Sequence, residues 1–249
     1  MINLFIIIIL SLILGSVANM LIYRLPRELN IVSDRSKCTM CKHQLGFFDL
    51  IPILSFIFLK GKCHYCKEKI PFRYLIVEVI TVLMFLYGFN AYGYSLGYLK
   101  FSLFSYFSLI LFFSDLETKL LPLSINIFLG ITGVLFGLSS DTIMGSIYGA
   151  SLGFFILFSI RYITSKIYKT ETIGLGDVIL LSVIGSYWGI QSMLVSLHSG
   201  IIVGGILGLY LLVFKKAKKN DYLAFGPFLI IGFWIDYFFG DQIVFWIYG

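Results

Sequence analysis

Long apolar runs separated by short polar breaks set the first expectation. In order, the runs cover residues 2–23, 72–89, 96–114, 121–138, 142–162, 178–190, 193–214 and 222–239. Most approach the roughly 20 residues that a helix needs to cross the hydrocarbon of a bilayer, so eight helices are expected. The sixth run is short for a span, and near residues 188–192 only Gly189 interrupts it. The sixth and seventh could therefore merge or form a re-entrant pair, which would leave seven spans. The opening run lacks a basic leader and a small-residue cleavage site and is long for a signal peptide, so it reads as the first span.

Composition sharpens the class. Hydrophobic residues make up 59% of the 249 and charged residues 13%, with a mean hydropathy of +0.94. That is far from a soluble domain, in which about 25% of residues are charged. The expected fold is an all-α polytopic membrane protein of about eight transmembrane helices. Residues 1–23 form a first span, 24–71 a small loop domain and 72–249 a helical bundle. With eight alternating spans, every one of the 19 lysines and arginines except Lys100 falls in one set of loops. Basic residues are retained on the cytoplasmic side, which puts both termini outside. The net charge of +6 then reflects topology and attraction to anionic membrane lipid, and it gives no reason to invoke nucleic acid.

The loop 24–71 holds all four cysteines, as Cys38-x-x-Cys41 and Cys63-x-x-Cys66. Two such pairs read as a four-thiolate zinc site, with a redox dithiol pair or free thiols as the alternatives. A basic loop on the reducing side of the membrane disfavours structural disulfides. Lys37, Lys42, Lys62 and Lys67 flank the thiols and ease their ionisation. His43 and His64 are spare ligand candidates. Between the pairs, residues 47–59 are apolar, too short to span, and broken by Pro52, which suits a segment lying at the membrane interface. So small a domain needs a metal staple to hold a fold.

Two aspartates abut long apolar runs: Asp115 at the end of the third and Asp177 at the start of the sixth. Acids beside hydrocarbon are functional candidates by default. The topology places both on the cytoplasmic face. If the third and sixth helices pack together, two carboxyl groups meet in a poorly solvated place and hold one proton between them. An ionised member can then activate water while a protonated member polarises a carbonyl. The alternative makes Asp177 an N-cap of the sixth helix. Other polar residues read as structural. Asn19 and His198 would bond between helices, Glu78 would either pair with an arginine or a hydroxyl or serve function, and Asp236 would be hydrated near the outer end of the last helix. The stretch IVGGILG at residues 202–208 would allow close packing, and lysines 215–219 would anchor at the lipid surface.

Five motifs occur in order: GSVANMLIYRLP at 15–26, IPILSFIFLKGKCHYC at 51–66 within the double C-x-x-C loop, SDLETKLLP at 114–122, GLGD at 174–177 and FGPFL at 225–229. Together they resemble the bacterial type IV prepilin peptidases that also N-methylate their substrates. The resemblance covers essentially the whole chain. It implies that Asp115 and Asp177 are catalytic, that Cys38, Cys41, Cys63 and Cys66 bind zinc, and that the protein lies in the bacterial cytoplasmic membrane. It also implies cleavage of prepilin or pseudopilin leaders after a glycine, followed by methyl transfer from S-adenosylmethionine. Gly61, Lys62 and Glu78 match the regions linked to methyl transfer. Two positions depart from the family's pattern: Pro122 is not followed by an acid, and Leu14-Gly15-Ser16 stands where Glu-Pro-Gly is common. A presenilin-like or preflagellin-type protease would need no cysteine loop. A membrane redox protein, transporter or assembly factor would need no cleavage.

Overall fold

The computed structural model describes residues 2–32, 35–140, 142–214 and 224–248. Those residues form α-helices and short turns without a β-strand: α1 (Ile2–Arg24), α2 (Leu54–Phe58), α3 (Arg73–Tyr92), α4 (Leu96–Thr118), α5 (Leu123–Ser139), α6 (Ile143–Tyr168), α7 (Leu175–Val213) and α8 (Gly226–Tyr248). Gly189 interrupts α7 with φ 84° and ψ −173°, a backbone region open essentially to glycine alone. The element is therefore two helices, 175–188 and 190–213, and the eight apolar runs each have a helix. Among the described residues α1, α3, α4, α6 and α7 are long and apolar enough to cross a membrane, and α5 is a shorter apolar helix. Large apolar side chains such as Phe5, Leu10, Ile206 and Leu209 lie exposed on these helices, as lipid-facing surfaces require.

Several helix ends differ from expectation. The third run does not stop at Ser114; α4 continues to Thr118, which puts Asp115 inside its last turn. Helix α6 extends past residue 162 to Tyr168 and ends at Lys169 in the left-handed conformation. Helix α8 begins at Gly226. The lysines at 215–219 lie outside the described residues.

The chain divides into two compact units, Met1–Ile110 and Leu111–Gly249. In the first, α1 packs on α3. A Cβ at Gly15 would stand 2.9 Å from the Cα of Glu78, so the helices touch backbone to backbone there. Asn19 cross-links them, donating to the Tyr74 carbonyl at 2.9 Å and accepting from Arg73 at 3.2 Å.

In the second unit α7 packs against α5, α6 and α8. A Cβ on Gly149 or Gly185 would run into the other's backbone, so α6 and α7 meet at bare glycines. Hydroxyls complete the seams. Ser182 donates to the Ala150 carbonyl and Ser196 to the Leu229 carbonyl, both at 2.8 Å, while Thr132 and Tyr187 share a hydrogen bond of 2.6 Å. Of the small-residue stretch, Gly204 lies against Phe228 and Gly205 faces open space. His198 corrects its expectation, since it is exposed and bonds the Leu194 carbonyl of its own helix at 2.7 Å. Asp236 does as well. It is buried, with Ser192 as a hydrogen-bond partner, where a hydrated acid was expected.

Candidate active site and metal centre

Asp115 and Asp177 come together within the second unit. The left-handed Lys119 ends α4, and its N–H bonds the Asp115 carbonyl at 2.9 Å. The chain then runs through Leu121 to Pro122, which caps α5. Glycine at 174 is the N-cap of α7, so Asp177 is its third residue and not the cap itself. Its Oδ2 accepts the Gly174 N–H at 3.1 Å. Oδ2 is thus engaged at the start of its own helix, while Oδ1 faces elsewhere.

That other direction is Gly226, at the start of α8. A Cβ built there would stand 2.6 Å from Asp115 Oδ2 and 3.3 Å from Asp177 Oδ1. Two oxygens this close to one point lie within about 6 Å of each other, the range in which charges couple strongly. The Gly226 N–H, unused within its helix, acts electrostatically on both carboxyl groups. Both residues are nearly enclosed, at 4% and 3% exposure, and Asp115 Oδ2 has no hydrogen-bond partner among the described residues. Such an acceptor is costly to leave unmet. Two flanking residues escaped the sequence reading. Asn126 of α5 is fully buried and donates to the Gly176 carbonyl at 3.4 Å, tying α5 to the GLGD turn. Arg161 of α6 bonds Glu171 at 3.1 Å, and its charge reaches Asp177. It passed for a loop charge because α6 was expected to end at residue 162; a cation two turns inside a longer helix was the available signal.

The first unit carries the cysteines. Each pair forms a knuckle of the same design. Cys38 N–H bonds the His43 carbonyl at 2.9 Å and Cys63 N–H the Glu68 carbonyl at 2.8 Å, while Lys42 and Lys67 both turn through φ 59°. Isolated bridges Lys37–Gln44 and Lys62–Lys69 close the two loops. The four sulfurs lie within 4.8 Å of one another, and Cys38 and Cys66 are 3.9 Å apart. Ligands about 2.3 Å from a tetrahedral ion stand roughly 3.8 Å apart, so the cluster fits a metal ion. His43 stacks on Tyr65 and His64 pairs with Asp49, leaving the thiols as the donor set. Burial works against ionising Cys38, but the amides of Cys41 and Met40 and the nearby thiols outweigh it and bring that thiol down to about 7. The Glu68 amide favours ionising Cys66, yet partial desolvation and the other thiols push it up to about 11.

Glu78 is buried in α3 and accepts the Ile53 N–H at 2.7 Å, with the Asn19 side chain as a further partner, so it pairs with neither an arginine nor a hydroxyl. Ile53 has φ 62° and ψ −53°, and Leu54 N–H reaches back to the Pro52 carbonyl at 2.6 Å. This is a strained three-residue turn, unusual for a β-branched residue. Glu78 thereby pins the start of α2 to the membrane helices. Around it lies a cavity of about 330 Å³, lined among others by Asn19, Tyr23, Asp49, Tyr74 and Glu78. Gly61 and Lys62 do not line it. Gly61 turns through φ 66° with its bare face against the Phe56 ring. The apolar segment between the knuckles folds as α2 and a short turn, leaving Phe47 79% and Phe48 81% exposed.

Residues 9–92 match the family model of the bacterial peptidase A24 N-terminal domain, and residues 102–209 match that of the type IV leader peptidase family. Three similar proteins each bear the name prepilin leader peptidase/N-methyltransferase. That of Bacillus subtilis (strain 168) is 31% identical over 96% of this chain and 95% of its own length. Those of Aeromonas salmonicida (strain A449) and Stutzerimonas stutzeri are each 30% identical over 95% of this chain and 90% of theirs. No solved structure matches this chain. With this coverage by relatives and by family models, the chain belongs to the type IV leader peptidase family.

Proposed function

We propose that this membrane protein is an aspartyl endopeptidase that removes the leader peptide of type IV prepilins or pseudopilins at the cytoplasmic face, and then methylates the new amino terminus. The observation that carries the reading is the convergence of Asp115 and Asp177 on Gly226. Two carboxyl groups sharing such a site hold one proton in common. The ionised member takes a proton from water, whose oxygen bonds to the scissile carbonyl carbon. The protonated member hydrogen-bonds the carbonyl oxygen. As the C–N bond breaks, a proton passes to the departing amine, giving one new carboxylate and one new α-amino group. The Gly226 N–H, at the start of α8, suits an oxygen gaining negative charge.

The names borne by the relatives support the second activity. S-adenosylmethionine, when bound, supplies an electrophilic methyl group. The cavity beside the cysteine knuckles is lined by the acids Asp49, Glu68 and Glu78 and the rings of Tyr23 and Tyr74, together with the cations Arg24, Arg35, Lys37, Lys42 and Lys69, a mixed lining for a ligand that carries both a sulfonium and a carboxylate. Zinc fits the four thiolates and would staple the loop 24–71. The cysteine knuckles speak against a presenilin-like protease without this loop, and the names borne by the relatives against a redox or transport protein. The span count of eight, both termini outside and the cytoplasmic site rest on the distribution of basic residues.

The test is to incubate the purified protein with a prepilin and S-adenosylmethionine and to measure the mass of the product's N-terminal peptide. Removal of the leader with addition of one methyl group is expected. An intact leader would refute the peptidase reading, and a cleaved, unmethylated end would refute only the methyltransferase.

A further inference from the structure

Leu121 occupies an unusual place. Its side chain is half-buried between the two glycines that border the aspartate pair. On one side, a Cβ at Gly176 would stand 2.8 Å from Leu121 Cβ and 3.2 Å from its Cδ1. On the other, a Cβ at Gly226 would stand 3.1 Å from the same Cδ1. That second point is also the one 2.6 Å from Asp115 Oδ2 and 3.3 Å from Asp177 Oδ1. One methyl group and both carboxyl groups therefore converge on a single spot, bordered by bare backbone.

A peptide cleaved here must bring its scissile carbonyl to both carboxyl groups. The α-carbon of the residue that owns the carbonyl is one bond away from that carbon, so its side chain has to share the space beside Leu121. The two glycines let Leu121 pack directly against bare backbone beside the acids, so Leu121 takes up what a substrate side chain would need. Its neighbours Leu120 and Leu123 are exposed, so Leu121 is the member of this segment turned toward the acids. We propose that Leu121 determines specificity: it sets the size of the side chain accepted on the residue that contributes the scissile carbonyl, and admits one without a side chain.

This inference rests on the peptidase reading, and its test separates the two. Two prepilin substrates are compared that differ only by Gly or Ala immediately before the cleaved bond, and kcat/KM is measured for the wild type, Leu121→Ala and Leu121→Val. The quantity read is the Ala-to-Gly ratio. The wild type should strongly favour Gly. Leu121→Ala should raise the ratio at least about tenfold, the effect expected of one methyl-sized change in an apolar pocket, with Leu121→Val between. An unchanged ratio in the variants, while the Gly substrate is still cleaved, overturns the proposal. If Leu121→Ala cleaves neither substrate, the Val variant decides, and an unchanged ratio there overturns it equally. Failure of the wild type to cleave the Gly substrate would instead refute the peptidase reading.

Discussion

Gly226 is where a single methyl group would bear most directly on the aspartate pair. Its backbone does not require glycine; the space does, because an added Cβ would sit 2.6 Å from Asp115 Oδ2. Gly226→Ala should therefore push the carboxyl groups apart. Misplacements of about 1 Å commonly cost on the order of 100-fold in rate, and a loss of that size is expected in a single-turnover cleavage assay with little change in melting temperature. Glu78 makes a different kind of contact, since its carboxylate receives one backbone amide of a strained turn. Glu78→Leu leaves the Ile53 N–H unmet and should cost about 1–3 kcal/mol of local stability. Faster hydrogen exchange over residues 51–59 would register it, and Glu78→Gln, which keeps an acceptor, should lose much less.

Helices and knuckles have their own weak points. Gly189 breaks α7 with nothing within 4 Å of where its Cβ would be. The cost of Gly189→Ala is thus almost purely backbone strain, about 1–3 kcal/mol, visible as a lowered melting temperature. The metal centre should respond to pH. Because metal binding needs thiolates and protons compete with the ion for all four, a chelator should strip the ion increasingly as pH is lowered, as measured by metal content after dialysis. These elements differ in how visibly the sequence announced them. The apolar runs and the C-x-x-C pairs were legible because burial in lipid and metal ligation each demand fixed residue types at fixed spacing. The ends of α4, α6 and α8 were not, since amphipathic turns beyond the hydrocarbon carry no continuous apolar signal. The roles of Gly226, Leu121 and Asn126 depend on contacts between segments far apart in the chain, and no local pattern encodes those. His198 and Asp236 were misjudged for the same reason, as their surroundings are set by tertiary packing.

At the scale of the whole molecule, the charge asymmetry predicts on which side of the membrane each loop lies. Single cysteines introduced at exposed Ser140 and Glu171 should behave oppositely toward an impermeant thiol reagent. Ser140→Cys should label in intact cells and Glu171→Cys only after permeabilisation; labelling of both from outside would contradict the assigned topology. The central claim is narrower: Asp115 and Asp177 act as one unit on one proton. It is tested most directly by replacing each aspartate singly with asparagine and following prepilin cleavage in a single turnover, with circular dichroism as a check on folding. Both Asp115→Asn and Asp177→Asn should stay folded and lose cleavage to the same background, since an amide can neither take nor give the shared proton. Substantial cleavage by either folded variant would contradict the account.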